Sequence, residues 1–198
     1  MTTRELEFKR RLVLEANLTA GQRVLDVGCG TGTLALMLKE AMPDALVTGV
    51  DGDIEVVKRA REKARSRRVE ASFGQGLAGS LAFQSGSFDL VVSSLVFHHL
   101  DPQTKRRALE QIRDLLRPAG RLLLADIGGV PAWMARSLLL PFRLFDGLGT
   151  TADNFYGRLP EMIRAAGFRE VTGIARYVTP VGPVEIIRAI APTKEPHG

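Results

Sequence analysis

The sequence contains very little cysteine and histidine. Cys29 is the single cysteine among 198 residues, so no disulfide bond can form within the chain, and a reducing, cytoplasmic location is expected. Two of the three histidines, His98 and His99, are adjacent, and His197 is far along the chain, so no metal site is expected. No stretch approaches the ~18 apolar residues of a membrane-spanning helix. These scarcities count against a disulfide-rich secreted domain and against a helical membrane protein.

Repeats, linkers and low-complexity stretches are also missing, which predicts a single domain over residues 1–198. Residues 1–20 mix charged and apolar side chains without a continuous apolar core, which is typical of an amphipathic helix rather than a signal peptide. The net charge of +5 and the sequence pI of about 9.8 permit an anionic partner without requiring one.

Strand-like apolar runs alternate with helical patterns along the rest of the chain. Strands are predicted over 23–28, 45–50, 69–73, 88–96, 121–126, 168–178 and 183–191. Helices are predicted over 32–41, 53–67 and 102–117, the last two capped by Asp53 and Asp101, with one more inside 153–168. Repeated βα units predict an α/β fold, namely a Rossmann-like, doubly wound and mostly parallel sheet of seven strands. Helices should cover both faces, and the last strands should form an antiparallel hairpin.

The stretch "VLDVGCGTGTLALML" (24–38) places three glycines between a predicted strand and a predicted helix. A backbone without Cβ atoms can approach a ligand closely there, and three glycines are more than a turn requires. A dinucleotide site prefers G-x-G-x-x-G. Here Gly28, Gly30 and Gly32 are spaced G-x-G-x-G, and Thr33 stands at the last glycine position of the dinucleotide motif. The spacing therefore argues against a dinucleotide.

Four segments in order resemble class I S-adenosylmethionine-dependent methyltransferases of the small-molecule, type 11 kind. They are "VLDVGCGTG", "VTGVDGD", "SGSFDLVVSSLVFHHL" and "QIRDLLRPAGRLLLAD", and the resemblance covers about residues 20–126. It implies that S-adenosylmethionine is the cofactor and that the chain is a methyltransferase enzyme. The cofactor-binding residues implied by the resemblance are Asp26, Gly28, Cys29, Gly30, Gly32, Asp51, Gly52, Leu77, Ala78 and Ser94.

By this resemblance, Gly28 and Gly30 let the backbone pass against the amino-acid tail and ribose of the cofactor, while Asp26 helps to satisfy the tail's ammonium. Asp51 follows Gly32 by 19 residues and accepts hydrogen bonds from both ribose hydroxyls. Cys29 is interpreted as a packing residue of the loop and not as a nucleophile.

One position departs from the family pattern. Relatives have an acidic residue that accepts from the adenine amino group where this chain has Leu77. Adenine must then be held by backbone and apolar contacts, or by Gln75.

The candidate general bases are His98, His99, Asp126 and Tyr156, which lie near predicted strand ends. The alternative interpretation of the two histidines is that one packs against the cofactor and the other caps a helix.

Residues 130–157 are predicted to form a lid over the methyl-donating end of the cofactor. Their apolar side chains are too many for a solvent-exposed loop: Trp133, Met134, Leu138, Leu139, Leu140, Phe142, Leu144, Phe145 and Leu148. This pattern predicts a small hydrophobic or lipid-like acceptor, or a membrane surface from which the acceptor is taken.

Two other functions stay open at this point. A nucleic-acid methyltransferase would use the basic segment "KRAREKARSRR" (58–68), but no aromatic residues interleave it. Base-amino methyltransferases also carry a [DN]-P-P-aromatic segment where this chain has residues 93–96. The third possibility is a methyltransferase-like protein that binds the cofactor without turnover.

Overall fold

The computed structural model describes residues 3–129, 157–179 and 182–193. Within these ranges seven strands form one sheet in the order β3-β2-β1-β4-β5-β7-β6. The strands are β1 Arg23–Val27, β2 Leu46–Asp51, β3 Ser72–Gln75, β4 Phe88–Ser94, β5 Leu116–Ile127, β6 Arg169–Thr179 and β7 Gly182–Ile190. β1 to β5 are mutually parallel, and β7 pairs antiparallel with both β5 and β6. The predicted doubly wound sheet with its carboxyl-terminal hairpin is confirmed.

The described helices cover both faces of this sheet. They are α1 Thr3–Ala16, α2 Thr33–Ala41, α3 Ile54–Arg67, α4 Pro102–Leu115 and α5 Leu159–Ala165, with a 3₁₀ turn at Phe97–His99. The two predicted caps are confirmed, because Asp53 accepts from the Glu55 amide at 2.8 Å and Asp101 accepts from the Gln103 amide at 2.9 Å. Among the described residues, no helix has the length and apolar character needed to cross a bilayer.

Two predicted strand boundaries were wrong. The third strand begins at Ser72 rather than at residue 69, because Arg68 takes a left-handed conformation and the Val69 amide donates to Ala64 to close α3. The fifth strand begins at Leu116 rather than at residue 121, because Leu116 pairs with Phe88 across a register shift.

The core consists of two apolar layers, one on each face of the sheet. One layer packs α1, α2 and α3 against the sheet, and the other packs α4 and α5 against the opposite face. Consecutive residues of β4 supply both layers, because Leu90 and Val92 face the first while Val91 faces the second. β4 is therefore buried on both sides, as its uniformly apolar sequence predicted.

The strand order reverses at β1, whose neighbours are β2 on one side and β4 on the other. In doubly wound sheets, the crevice beyond the carboxyl ends of the strands at such a reversal is where ligands bind. The loops after β1, β2, β3 and β4 all meet at this crevice.

Candidate cofactor and acceptor site

A cavity of about 530 Å³ opens at the carboxyl ends of β1, β2 and β4. Nine of the ten predicted cofactor-binding residues line it, and so does one predicted base: Asp26, Gly28, Cys29, Gly30, Asp51, Gly52, Leu77, Ala78, Ser94 and His99. Residues that lie as much as 73 positions apart in the sequence therefore share one cavity.

The glycine loop is held against the neighbouring strand, and its glycines have different tasks. The amides of Gly28 and Cys29 donate to the Val50 carbonyl at 2.8 and 2.9 Å. A Cβ on Gly28 would lie 2.1 Å from a Val96 methyl group, so that position requires glycine for packing. Gly30 also has a positive φ, of +53°, but a Cβ there would meet nothing within 4 Å. It leaves open space on the cavity side, as close approach by a ligand requires.

Gly32 is a correction to the predicted site, because it does not line the cavity. It stands at the amino end of α2 with a φ of 74°. A Cβ there would lie 2.8 Å from the Phe73 ring and 3.0 Å from the Ala60 Cβ. The third glycine therefore allows the loop to pack against Phe73 of β3 and Ala60 of α3.

Asp26 is the least satisfied polar group of the site. Its side chain is 1% exposed, and neither carboxylate oxygen has a partner at full hydrogen-bond geometry among the described residues. Burial raises the pKa of Asp26 to about 7, with Lys9 and the Ala35 amide opposing the rise and Asp51 adding to it. A buried carboxylate without a partner is costly, so this residue fits a cationic group placed in the cavity.

Asp51 lies at the end of β2, within hydrogen-bond distance of the glycine loop. One of its oxygens accepts from the Gly30 amide at 2.9 Å, and the other accepts from the Asp53 amide at 3.0 Å. Each carboxylate oxygen retains a second lone pair, so Asp51 is oriented by the backbone and can still accept from two hydroxyl groups. This arrangement fits a ribose.

The loop after β3 offers an apolar contact instead of a carboxylate. Leu77 is 66% exposed, and its Cδ2 atom would lie 2.7 Å from a Cβ built on Gly52. Gln75, the predicted substitute acceptor, donates its amide nitrogen to the Gly52 carbonyl at 3.0 Å and does not line the cavity. The loop after β3 therefore presents the apolar Leu77 side chain to the cavity.

Asp126 and His98, two of the predicted bases, do not line the cavity. The Asp126 carboxylate is 1% exposed and accepts from the amides of Val96, Phe97 and Ile127 at 3.0, 2.6 and 2.7 Å. The Nδ1 atom of His98 lies 2.8 Å from the same carboxylate. With this many partners, Asp126 holds the turn after β4 and orients His98, and it has no direct route to a substrate.

His99 is the predicted base that the structure does place at the cavity. Its ring lies against that of His98, with centroids 3.8 Å apart and the ring planes tilted by 44°. Partial burial and the neighbouring His98 lower the pKa of His99 below its usual 6.5, against an opposing effect of Asp126. The ring is therefore neutral at pH 7 and can accept a proton. Tyr156, the fourth predicted base, lies outside the described residues, as do residues 130–156 of the predicted lid.

Cys29 is buried, and burial together with Asp26 and Asp51 raises the pKa of its thiol. A protonated thiol is a poor nucleophile, which agrees with its interpretation as a packing residue. In the part of the chain that the structure describes, no group of three or more His, Cys, Asp or Glu side chains could hold a metal ion.

Two cavity residues come from α1 and were missed by the sequence reasoning. Glu5 and Lys9 line the cavity and form an ion pair in which Lys9 Nζ lies 2.7 Å from Glu5 Oε1. The amphipathic pattern of α1 was visible, but its docking position was not. Ser94 was predicted, and its hydroxyl is buried without a partner among the described residues.

The fold and this cavity define a class I methyltransferase that uses S-adenosylmethionine. The chain belongs to the methyltransferase domain family, whose sequence profile matches residues 24–120. It is 38% identical over 170 residues to the demethylmenaquinone methyltransferase of Thermus thermophilus, covering 81% of this chain and 74% of the relative. The corresponding protein of Deinococcus radiodurans is 33% identical over 183 residues, covering 82% and 74%.

Solved structures show the same fold at lower identity. The YcgJ protein of Bacillus subtilis superposes with a TM-score of 0.79 at 20% identity, covering 94% of this chain and 99% of its own. Magnesium protoporphyrin IX methyltransferase of Synechocystis, solved with SAH bound, gives a TM-score of 0.71 at 23% identity, covering 94% and 81%.

Proposed function

We propose that this methyltransferase transfers a methyl group to a hydroxylated, quinone-like aromatic acceptor that is small and hydrophobic. The observation that carries the proposal is the similarity to the two demethylmenaquinone methyltransferases over about four-fifths of the chain. A C-methyltransferase of ubiquinone and menaquinone biosynthesis from Bdellovibrio bacteriovorus is also similar, at 30% identity over 62% of this chain and 52% of its own length.

The cavity residues have the chemistry needed to hold the methyl donor. Asp26 offers a buried carboxylate to the ammonium of the amino-acid tail, and Asp51 offers acceptor positions to the ribose. Gly30 leaves room for close approach, and Leu77 offers an apolar surface to the adenine. S-adenosylmethionine supplies an electrophilic methyl group on its sulfonium, so the protein mainly has to align an acceptor behind that group.

His99 is proposed as the general base. Its neutral ring accepts the proton of an acceptor hydroxyl, and the electron pair left on that oxygen is delocalised into the aromatic ring. The ring carbon beside the oxygen would then form the bond to the methyl group while the bond from that methyl group to sulfur breaks, leaving S-adenosylhomocysteine. That carbon would then lose its own proton to solvent, which restores aromaticity. Asp126 supports this role through His98, which it holds against the His99 ring.

Residues 130–157 are proposed to cover the acceptor, although 130–156 lie outside the described residues. The support is their apolar composition and their position directly after β5, whose carboxyl end is on the cavity side of the sheet. A hydrophobic acceptor needs such a cover because water would otherwise surround its ring.

The experiment is a methyl-transfer assay with labelled S-adenosylmethionine and a chemically reduced, demethylated naphthoquinone. Label should enter the organic phase as the C-methylated product.

The His99→Gln variant should lose about 100-fold or more of kcat while it binds the donor normally. Because the pKa of His99 is lowered, kcat/KM for the acceptor at saturating donor, where Asp26 is already paired, should stay flat from pH 8 down to about pH 6.5 and fall only below that. Trp133→Ala should reduce turnover in the same assay without changing donor affinity.

The other outcomes overturn specific parts of the proposal. Label on the acceptor oxygen would make the protein an O-methyltransferase, and label only in nucleic acid would restore that alternative. Normal donor binding without transfer to any acceptor would indicate a protein without methyl-transfer activity. The fold permits this last outcome, since the [4+2]-cyclase SpnF superposes with a TM-score of 0.72 at 22% identity.

A further inference from the structure

We propose that Lys9 on α1 binds the carboxylate of the cofactor's amino-acid tail, while the buried Asp26 takes its ammonium. The inference rests on the cavity after β1 being the S-adenosylmethionine site, as above. It assigns a binding residue to a helix that precedes the part of the chain matched by the family profile.

α1 is fixed to the fold, so the position of Lys9 is determined. Phe8, Leu12 and Ala16 are at most 1% exposed and pack into the core layer that α2 and α3 share. Lys9 follows Phe8 directly, and its side chain is 13% exposed and lines the cavity. The Lys9 side chain therefore lies within reach of whatever occupies the cavity.

The charges at this end of the cavity match a zwitterion. Lys9 lies close enough to Asp26 for its charge to lower the pKa of that carboxyl. Asp26 has no partner at full hydrogen-bond geometry among the described residues, whereas Lys9 donates to Glu5. An α-amino acid presents an ammonium and a carboxylate on one carbon, so it can meet Asp26 and Lys9 together. Lys9 has three N–H donors and can keep donating to Glu5 while it donates to a second carboxylate.

A second lysine, Lys63, lies near the glycine loop, but its ammonium group already donates hydrogen bonds to two threonines. Lys63 donates to the Thr33 hydroxyl at 2.7 Å and to the Thr31 carbonyl and hydroxyl at 3.3 Å, and it does not line the cavity. Among the described residues that line the cavity, Lys9 is the one lysine or arginine. The geometry therefore favours Lys9 over Lys63 as the carboxylate ligand.

The test compares three probes by calorimetric titration of the full chain without an acceptor. S-adenosylmethionine carries both tail charges, decarboxylated S-adenosylmethionine lacks only the carboxylate, and methylthioadenosine lacks the whole tail. The variants are Lys9→Met, Lys9→Arg and a matched control, Arg11→Met. Arg11 lies on the same helix and pairs with Glu15 at the same spacing, with Nη2 2.7 Å from Oε1, but it does not line the cavity.

Lys9→Met should weaken S-adenosylmethionine binding about 10- to 100-fold and leave the other two probes unchanged. Lys9→Arg should restore most of the affinity, and Arg11→Met should bind all three probes like the unmodified protein. Equal losses for all three probes, or no loss for any, would overturn the assignment of Lys9. Failure of the unmodified protein to bind S-adenosylmethionine would instead overturn the cofactor site itself. If Lys9→Met does not fold by circular dichroism, Lys9→Gln replaces it in the same comparison.

Discussion

At the scale of one residue, the burial of Asp26 lowers the stability of the fold and leaves a carboxylate that a ligand can bind. Its pKa in the cofactor-free fold is about 7, above the ordinary 3.8, so the folded state holds a proton more tightly than the unfolded chain. As far as this group is concerned, stability is therefore greatest below pH 4 and falls as the pH rises from about 4 to about 7, above which the loss is complete. At 1.36 kcal/mol per pKa unit, the loss reaches about 4 kcal/mol.

The Asp26→Asn variant should lack this loss, because the amide has nearly the same shape and cannot ionise. We expect it to be more stable than the unmodified protein at pH 8 and to bind S-adenosylmethionine far more weakly. Urea unfolding at pH 5 and pH 8 checks the first expectation, and calorimetry checks the second. If the difference in unfolding free energy between the two proteins did not change with pH, the Asp26 carboxyl would not be titrating in this range.

The two glycines of the loop should respond differently to alanine. Gly28→Ala places a Cβ 2.1 Å from a Val96 methyl group, so the loop must move and the melting temperature should fall markedly. Gly30→Ala meets open space and should cost only about 1 kcal/mol for its positive φ, yet its methyl group would occupy the cavity side of the loop. A melting curve beside a cofactor titration separates the two effects. Equal destabilisation in both variants would show that Gly30 is also a packing residue.

The loop after β3 is the element in which this chain departs from the family pattern. Leu77→Asp should create an acceptor for the adenine amino group at a cavity-lining, largely exposed position. We expect cofactor binding to tighten by about 1 kcal/mol, less the desolvation of the new charge. Leu77→Asn, which offers a carbonyl acceptor without the charge, is the matched control in the calorimetric comparison. Unchanged or weaker binding by both folded variants would mean that the amino group already has a partner.

The docking position of α1 was not predicted from the sequence, although two residues of this helix line the cavity. Its apolar stripe, Phe8, Leu12 and Ala16, predicts a buried face but not the neighbour against which it packs. The fold docks it beside α2, with the Phe8 ring 6.4 Å from that of Tyr177 on β6. Because of this docking, the polar edge of the helix adds Glu5 and Lys9 to a site otherwise built from strand ends.

At the scale of the whole molecule, cofactor binding should appear as thermal stabilisation. S-adenosylhomocysteine at 100 times its dissociation constant should add about 2.7 kcal/mol to the unfolding free energy. For a chain of this length, that corresponds to a rise of about 5–10 °C in the melting temperature. NAD at equal concentration should give no shift, because the glycine spacing does not suit a dinucleotide. Stabilisation by NAD and not by S-adenosylhomocysteine would contradict the assignment of the cofactor.

Local signals in the sequence were sufficient to predict the alternation of strands and helices, the caps of α3 and α4, and the glycine loop between β1 and α2. Each depends on residues that are neighbours along the chain, such as Asp53 beside Glu55 or Gly28 beside Gly30. The resemblance to a methyltransferase family then added Asp51 and Ser94, which the structure brings to the same cavity.

Tertiary packing alone decided which of these residues face the cavity. Gly32 lies behind the loop because the Phe73 ring of β3 occupies the space beside it. Asp126 is enclosed because the turn after β4 folds over the end of β5. The backbone amides of that turn donate hydrogen bonds to the Asp126 carboxylate. Lys9 enters the cavity because α1 packs beside α2. Contacts of this kind join segments far apart in the chain, and a pattern of neighbouring residues contains no information about the distance between them.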